Sequence, residues 1–468
     1  MELDGEHVLV AGAGVTGKSV VPVLRELGAR VTVTDGDADR LAELGDLDAE
    51  LVPGLTAPPA DTALVVTSPG WRPTSPLLVA AAAAGVEVIG DVELAWRIGR
   101  LREHPPAWLV ITGTNGKTTT VGMLESILRA AGSDAVACGN VGYPVLDAVR
   151  GGHQVLAVEL SSFQLHWSST IAPDASVVLN LAEDHLDWHG SMEEYAAAKG
   201  RVHERSRTVV HNVDDPWSTR IAEDHAPEAA RRIGFVLDTP RPGELGLVED
   251  LLVDRAFGAD PEASAEELAE IADVRPAGPH NLANALAAAA LARAHGVTPA
   301  AVRAGLRAYE PAPHRAVEVA EIGGVRYVND SKATNPHAAL GSLLAHESVV
   351  WIAGGQLKGA SVDDLVAAVA GRLRAAVLLG ADAPVIEAAL ARHAPDVPCN
   401  RLLPGDDEPM TAAVNAASAL ARPGDVVLLA PAAASLDMFG GYGARGDAFE
   451  AAVRALAGGA AGAADDGR

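Results

Sequence analysis

Lysine is the residue this chain has least use for. Of 36 basic residues among 468, only Lys18, Lys117, Lys199, Lys332 and Lys358 are lysine. Where arginine supplies nearly all solvated positive charge, the few lysines are expected where a compact amine able to lose its proton is needed, a change guanidinium does not make. Cysteine is nearly absent as well. Cys138 and Cys399 are too few and too far apart for a disulfide framework or a metal set, so a reducing, cytoplasmic setting is expected. Long apolar runs are missing too. Hydrophobic residues make up 49% and mean hydropathy is +0.15, but alanine runs such as 80–84 and 287–290 inflate both. No uncharged apolar stretch reaches the ~18 residues a membrane span requires. The start, Met1-Glu2-Leu3-Asp4, carries acid where a signal peptide carries base, so no membrane insertion or export signal is expected. Positive charge is short overall, and a net charge of −26 argues against nucleic acid as a partner. Anionic nucleotides stay open as ligands, held by local devices such as helix N-termini, single lysines and Mg²⁺.

What is present is organised around Ile111-Thr112-Gly113-Thr114-Asn115-Gly116-Lys117-Thr118-Thr119-Thr120. This run follows apolar Trp108-Leu109-Val110 and precedes a segment in which Met123, Leu124, Ile127 and Leu128 recur at helical spacing. The pattern predicts strand, glycine loop, helix. In such a cradle, backbone N–H groups point at phosphate oxygens, Lys117 neutralises them, and the Thr118 hydroxyl ligates Mg²⁺. The spacing departs from the usual P-loop at Ile111, where that loop has its first glycine.

The length predicts two to four domains. Ahead of the P-loop, Val8-Leu9-Val10 leads into Gly12-Ala13-Gly14-Val15-Thr16-Gly17, a helix to Leu27, and Val31 to Thr34 ending at Asp35. This matches a dinucleotide-binding βαβ unit, with a tight strand-to-helix turn without ligand as the lesser alternative. A strand from Ala63 to Thr67 ends in Ser68-Pro69-Gly70, at the edge where such sheets bind ligands. Lys18 reads as solvated. A linker at Glu103-His104-Pro105-Pro106 separates this unit from the P-loop domain.

Beyond the loop, the apolar run Val155 to Leu160 carries Glu159, an expensive place for an ionised carboxylate unless it is paired or meets a cation. Asn180 ends another strand before Glu183-Asp184-His185, and Tyr195 to Lys199 lie on a helix opened by Ser191. Asn281 and Asn284 share one helix face. The acidic stretch from Asp238 to Asp273 reads as surface structure without a motif. A third unit begins near Pro311, with a hairpin signal at Gly323-Gly324. Its strands end in Asn329-Asp330-Ser331-Lys332-Ala333-Thr334-Asn335, in Gly354-Gly355-Gln356-Leu357-Lys358 and in Ser435-Leu436-Asp437, polar residues gathered at one sheet edge. The tail from Gly458 reads as frayed.

Together these motifs resemble the Mur ligase family of cell-wall synthesis across essentially the whole chain. Thr112-Gly113-Thr114-Asn115-Gly116-Lys117-Thr118 is similar to that family's variant P-loop, which accounts for Ile111. Glu159 to Leu165, Asn329 to Asn335 and Ser435-Leu436-Asp437 resemble in particular the members that add D-glutamate to UDP-N-acetylmuramoyl-L-alanine through an acylphosphate. The resemblance implies an α/β fold in three domains. Residues 1–104 would be an N-terminal Rossmann-like domain for the UDP-substrate, and 105–311 a central P-loop ATPase with a mainly parallel sheet. Residues 312–457 would be a C-terminal Rossmann-like domain that closes over the site, before a disordered tail at 458–468. Implied for ATP are Gly113, Thr114, Asn115, Gly116, Lys117, Thr118, Thr119, Asn281, Asn284, Arg315, Asp330 and Lys332. For the UDP-substrate they are Gly14, Val15, Thr16, Asp35, Ser68, Gly70, Asn140, Ser161 and Gln164. D-glutamate would be held by Thr334, Lys358, Ser435, Leu436 and Tyr442, the last standing where the family pattern has phenylalanine. Mg²⁺ would be served by Thr118, Glu159, His185 and Lys199 as a carbamate, and Lys117, Lys199, His185 and Glu159 would carry the chemistry. A monomeric cytoplasmic enzyme is expected. A folylpolyglutamate-synthase-like ligase shares the loop and the chemistry but has no need of a uridine-nucleotide domain of about 100 residues ahead of the loop. An NAD-dependent dehydrogenase would explain Gly12 to Asp35 but leave Lys117, Lys199 and Lys332 idle. A P-loop switch or motor finds no partner-binding basic or heptad surface.

Overall fold

A computed structural model describes residues 3–402 and 408–465. Three sheets run in succession along the chain. The first holds β1 (His7–Ala11), β2 (Arg30–Thr34), β3 (Glu50–Leu51), β4 (Thr62–Thr67) and β5 (Glu87–Gly90) in the order β3-β2-β1-β4-β5, all parallel. The second is built from β6 (Ala107–Thr112), β7 (Ala135–Gly139), β8 (Val155–Glu159), β9 (Ala175–Val178), β10 (Thr208–Asn212), β11 (Arg231–Phe235), β12 (Glu244–Val248), β13 (Leu251–Asp254) and β14 (Glu266–Glu270). Its order is β14-β13-β12-β11-β10-β9-β6-β8-β7. The third holds β15 (Val317–Ile322), β16 (Val325–Asn329), β17 (Val349–Gly354), β18 (Leu373–Leu379), β19 (Cys399–Arg401) and β20 (Val426–Leu429), ordered β15-β16-β20-β17-β18-β19. This is the expected three-domain, mainly parallel α/β architecture. By packing, the chain divides into two units, one of Met1–Asp273 with Ala283–Tyr309, the other of Val274–Leu282 with Glu310–Arg468.

Central parallel strands are covered on both faces and therefore read as continuous apolar runs. Leu9 and Val10 in β1, and Leu109, Val110 and Ile111 in β6, are fully buried. In both sheets the glycine loop leaves the carboxyl end of a strand that has neighbours on either side, β2 and β4 around β1, and β8 and β9 around β6. That is the crevice in which open α/β sheets hold ligands. The first two sheets share one core, in which Trp96 meets Trp108 edge to face at 5.2 Å. Glu93, fully buried, accepts from the Ser169 and Thr170 amides at 2.9 and 3.0 Å and pairs with Arg97, so the two sheets are latched by a satisfied carboxylate.

Two expectations need correction, and one strand had no expectation at all. The stretch from Asp238 to Asp273 is not motif-free surface. It forms β12, β13 and β14, two of whose pairings are antiparallel and extend the central sheet. Leu245, Leu252, Val253, Leu268 and Ala269 are buried, and the turn at Glu249, with φ 55°, joins β12 to β13. The acids at the strand ends and turns masked short buried runs such as Leu252-Val253 and Leu268-Ala269. The short edge strand β19 carried no signal, since its three residues are exposed. The helix Tyr442–Asp465 runs past Gly458, where fraying was expected, because the alanines there favour helix. Residues 466–468 of the expected tail lie outside the described residues. The Gly323-Gly324 hairpin forms as expected, with φ 59° and 77° in a turn that demands the left-handed region.

Candidate active site

The P-loop is held open from below by strand ends that it does not itself contain. Thr114 donates its amide to the Asn180 carbonyl at 3.0 Å, and Asn115 donates to the Asn180 side-chain oxygen at 2.9 Å. The Thr114 hydroxyl lies 3.3 Å from the Tyr195 hydroxyl. Gly116, with φ 84°, opens the helix Lys117–Ala130, and a Cβ there would stand 2.3 Å from Asn284 Oδ1. Only glycine lets Asn284 approach, which brings that predicted residue to the loop.

Lys117 Nζ folds back onto the loop, donating to the Gly113 and Thr114 carbonyls at 2.9 and 2.8 Å. The next residue points elsewhere: Thr118 Oγ1 donates to Glu159 Oε2 at 2.8 Å. Glu159 is 2% exposed at the end of β8, in register with Ile111. Its other oxygen accepts from Asn140 Nδ2 at 3.0 Å. Asn140, expected among the UDP-substrate contacts, thus joins the Glu159 cluster. Lys199 is 1% exposed and donates from Nζ to the Gly113 carbonyl at 2.8 Å, with Nζ 4.6 Å from the Tyr195 ring centre. Burial, then the charge of Lys117, holds its amine well below the ordinary lysine range, against Asp184 and Glu159. The loop, Thr118, Glu159 and Lys199 are therefore joined by hydrogen bonds into one group.

His185 begins a short helix with φ 55° and packs edge-on against Phe163 at 4.8 Å, its ring nitrogen 3.5 Å from Asp184. Among the described residues no three His, Cys, Asp or Glu side chains gather into a metal cage. The oxygens that do converge, a threonine hydroxyl and a buried carboxylate, are hard donors of the kind Mg²⁺ takes. The residues fit such an ion at a phosphate-binding loop, with few protein ligands and the remainder left for water or phosphate.

At the first glycine loop, Asp35 Oδ2 accepts from the Ala13 amide at 2.8 Å and Oδ1 from the Asp37 amide at 3.0 Å. The carboxylate that would meet a ribose in a dinucleotide site ties the loop to the end of β2. Gly12, with φ 124°, lies against Ser68, where a Cβ would stand 2.6 Å from Oγ. Gly14 caps the helix Val15–Glu26 without a side-chain bond, and Val15 is 70% exposed beside it. Gly70 has open space around it. Lys18 pairs with Glu43 at the surface, as a solvated residue would. Ser161 and Gln164 make a capping box on the helix Ser162–His166.

Sequence reasoning missed Asp91. It lies 3.4 Å from Thr16 Oγ1 and accepts from the Val92 amide, and burial pushes its carboxyl from the ordinary 3.8 up to about 6. A raised folded-state value means the unfolded chain ionises first, so this group loses stability for the fold as pH rises from about 4 to above 6. The loss is about 3 kcal/mol for a shift of that size. Asp91→Asn keeps the acceptor oxygen and removes the titration. Its melting temperature should match the parent at pH 4 and exceed it at pH 7.5, and a constant offset at both pH values would contradict this origin.

In the second unit, Asn281 lies 2.9 Å from His280 Nε2. Asp330 accepts from the Ala316 amide at 3.2 Å, and burial raises its carboxyl to about 6 against Ser342 and Arg315. Lys332 Nζ sits 3.9 Å over the Tyr442 ring, so a residue expected at ATP and one expected at glutamate touch. Thr334 follows in the same turn, its amide donating to the Lys332 carbonyl at 2.8 Å. Lys358 takes φ 54° beyond β17, Ser435 is 4% exposed, and Leu436 is 67% exposed.

Family profiles match three segments, described as Mur ligase MurD-like N-terminal domain over residues 6–90, Mur ligase middle domain over 111–292, and Mur ligase glutamate ligase domain over 314–433. The UDP-N-acetylmuramoylalanine--D-glutamate ligase of Thermobifida fusca (strain YX) is 58% identical, covering 98% of this chain and 100% of its own. The enzyme of that name from Streptomyces coelicolor (strain ATCC BAA-471 / A3(2) / M145) is 57% identical, covering 97% and 99%. Among solved structures, a pseudomurein peptide ligase type C from Methanothermus fervidus superposes with a TM-score of 0.58 at 17% identity, covering 97% of this chain and 100% of that one, a likeness of fold. A glycine loop backed by buried Glu159 and Lys199, in a chain more than half identical over its length to such ligases, places this protein in the Mur ligase family.

Proposed function

We infer that this chain is an ATP-dependent, ADP-forming ligase that joins D-glutamate to UDP-N-acetylmuramoyl-L-alanine in the cytoplasm, a step of peptidoglycan precursor synthesis. The observation that carries the reading is the cluster of Lys117, Thr118, Glu159 and Lys199 at the end of β6 and β8. A carboxylate is a poor acyl donor, so the γ-phosphoryl of ATP first passes to the alanyl carboxylate, giving an acylphosphate and ADP. The glutamate nitrogen then attacks the acyl carbon, the amine gives up a proton, and phosphate leaves. Lys117 and the loop N–H groups offset the charge that builds as oxygens converge. Glu159 holds the Thr118 hydroxyl in place, and Lys199 backs the loop at Gly113. Mg²⁺, when bound by Thr118 and Glu159 with His185 and carbamylated Lys199, would neutralise phosphate charge. Gly113 to Thr119, Asn281, Asn284, Arg315, Asp330 and Lys332 serve ATP. Thr334, Lys358, Ser435, Leu436 and Tyr442 serve glutamate. Phosphate release from ATP with UDP-N-acetylmuramoyl-L-alanine tests the reading: it should depend on D-glutamate and not on L-glutamate, and release with neither isomer would end it.

The loop from Gly12 to Gly17 is assigned to the UDP pyrophosphate, with Ser68, Gly70 and Asp35 around it. The engagement of Asp35 by the Ala13 amide of this loop and by the Asp37 amide of its own turn supports this over NAD. The UDP-substrate should slow hydrogen exchange across residues 12–17, whereas protection by NAD alone would reverse the assignment.

A further inference from the structure

Arg445 is the most deeply buried arginine among the described residues, at 1% exposure. It sits in the opening turn of the helix Tyr442–Asp465. Its fork reaches three other segments. Nε donates to Ser331 Oγ at 3.0 Å and Nη2 to the Ser331 carbonyl at 2.8 Å. Nη1 donates to the Ala433 carbonyl at 3.0 Å and lies 3.4 Å from that of Gly354. All four acceptors are neutral, one hydroxyl and three carbonyls.

Each of these segments continues into a residue assigned to glutamate. The Ser331 turn leads to Thr334, the Gly354 strand end to Lys358, the Ala433 loop to Ser435, and the helix itself opens with Tyr442. We propose that Arg445 is a positioning residue for the acidic co-substrate, one planar guanidinium setting the mutual placement of the four segments that carry Thr334, Lys358, Ser435 and Tyr442. The proposal rests on the glutamate assignment of those residues.

Stability alone gives little reason for a charge in this place. A buried ion is costly, and well-packed apolar side chains often replace one without loss. What an arginine adds is five donors in a fixed plane, able to hold carbonyls from separate chain segments at set angles, which a lysine ammonium cannot reproduce. Burial lowers its pKa to about 10, against Asp437, so it stays charged at neutral pH. Neighbouring bonds run in the same direction. Ser331 Oγ donates to the Tyr442 carbonyl at 2.8 Å, Asn329 Nδ2 to the Gly446 carbonyl at 3.1 Å, and Gln356 and Ala434 exchange a pair of backbone bonds. Gly446 lets the helix approach, since a Cβ there would stand 2.3 Å from His314 Nδ1.

The test is steady-state kinetics of Arg445→Lys, with each substrate varied in turn. KM for D-glutamate should rise about tenfold or more, because small misplacements of binding groups are costly, while KM for the UDP-substrate stays within about twofold. Ser331→Ala, which removes the one side-chain acceptor and is mild for folding, should raise the same KM less. The double variant should rise no further than Arg445→Lys alone, as expected of one coupled unit. An unchanged KM for D-glutamate in Arg445→Lys, or an equal rise for the UDP-substrate, overturns the proposal while the functional reading stands. Parent enzyme that releases no phosphate in response to D-glutamate overturns both.

Discussion

Lys117→Ala should reduce ATP turnover by about 10²–10³-fold or more, the scale for deleting one preorganised group that meets developing charge, while binding of the UDP-substrate changes little. The lysine amine already rests on the Gly113 and Thr114 carbonyls of the loop. The glycine loop assigned to the UDP moiety leaves β1 in a different sheet, and its supports are Asp35 and Ser68. Phosphate release and calorimetric titration of the UDP-substrate would be measured on the same preparation. Equal loss of both would contradict the assignment of the two ligands to two loops.

Lys199 carries the second large effect. Lys199→Ala should lose about 10²-fold or more of activity, and added acetate should restore part of it by supplying the missing oxygen donor. Lys199→Arg should remain inactive. Lys199 is 1% exposed, its nitrogen 2.8 Å from Gly113 O and beside Tyr195, and a guanidinium put in its place keeps the positive charge but cannot form a carbamate. The neutral amine, which burial favours, is the form that reacts with CO₂ to give a carbamate. A carbon-13 signal from labelled bicarbonate, present in the parent and absent in Lys199→Ala, would identify the adduct directly. Full activity in Lys199→Arg would leave Lys199 as packing alone.

Both residues were legible because lysine is rare and because each follows a pattern with one physical reading. A glycine loop between an apolar strand and an amphipathic helix puts Lys117 at a helix N-terminus whatever surrounds it. Glu159 stood out in the same way, as a charge within an apolar strand, and the structure pairs it with Thr118 and Asn140. The order of strands with their polar carboxyl ends carried the three α/β domains, since parallel pairing follows from alternating strand and helix periods.

Other features depended on distance in sequence, which a local pattern does not encode. Asn140 is separated from Glu159 by a helix, and its side chain reaches that carboxylate because β7 and β8 pair in register. Asp35 ends β2 where a dinucleotide-binding unit has its acid, and only the fold shows that one of its oxygens accepts from the Ala13 amide of the glycine loop. Arg445 in Gly-Ala-Arg-Gly carries no sequence signal, and its burial follows from three chain segments closing around it. The chain by itself determined the periodicities, the turns and the chemistry of each loop, because these are set by residues a few positions apart. Tertiary structure alone decided which buried charges meet which carbonyls, because desolvation and hydrogen-bond satisfaction are properties of the packed neighbourhood.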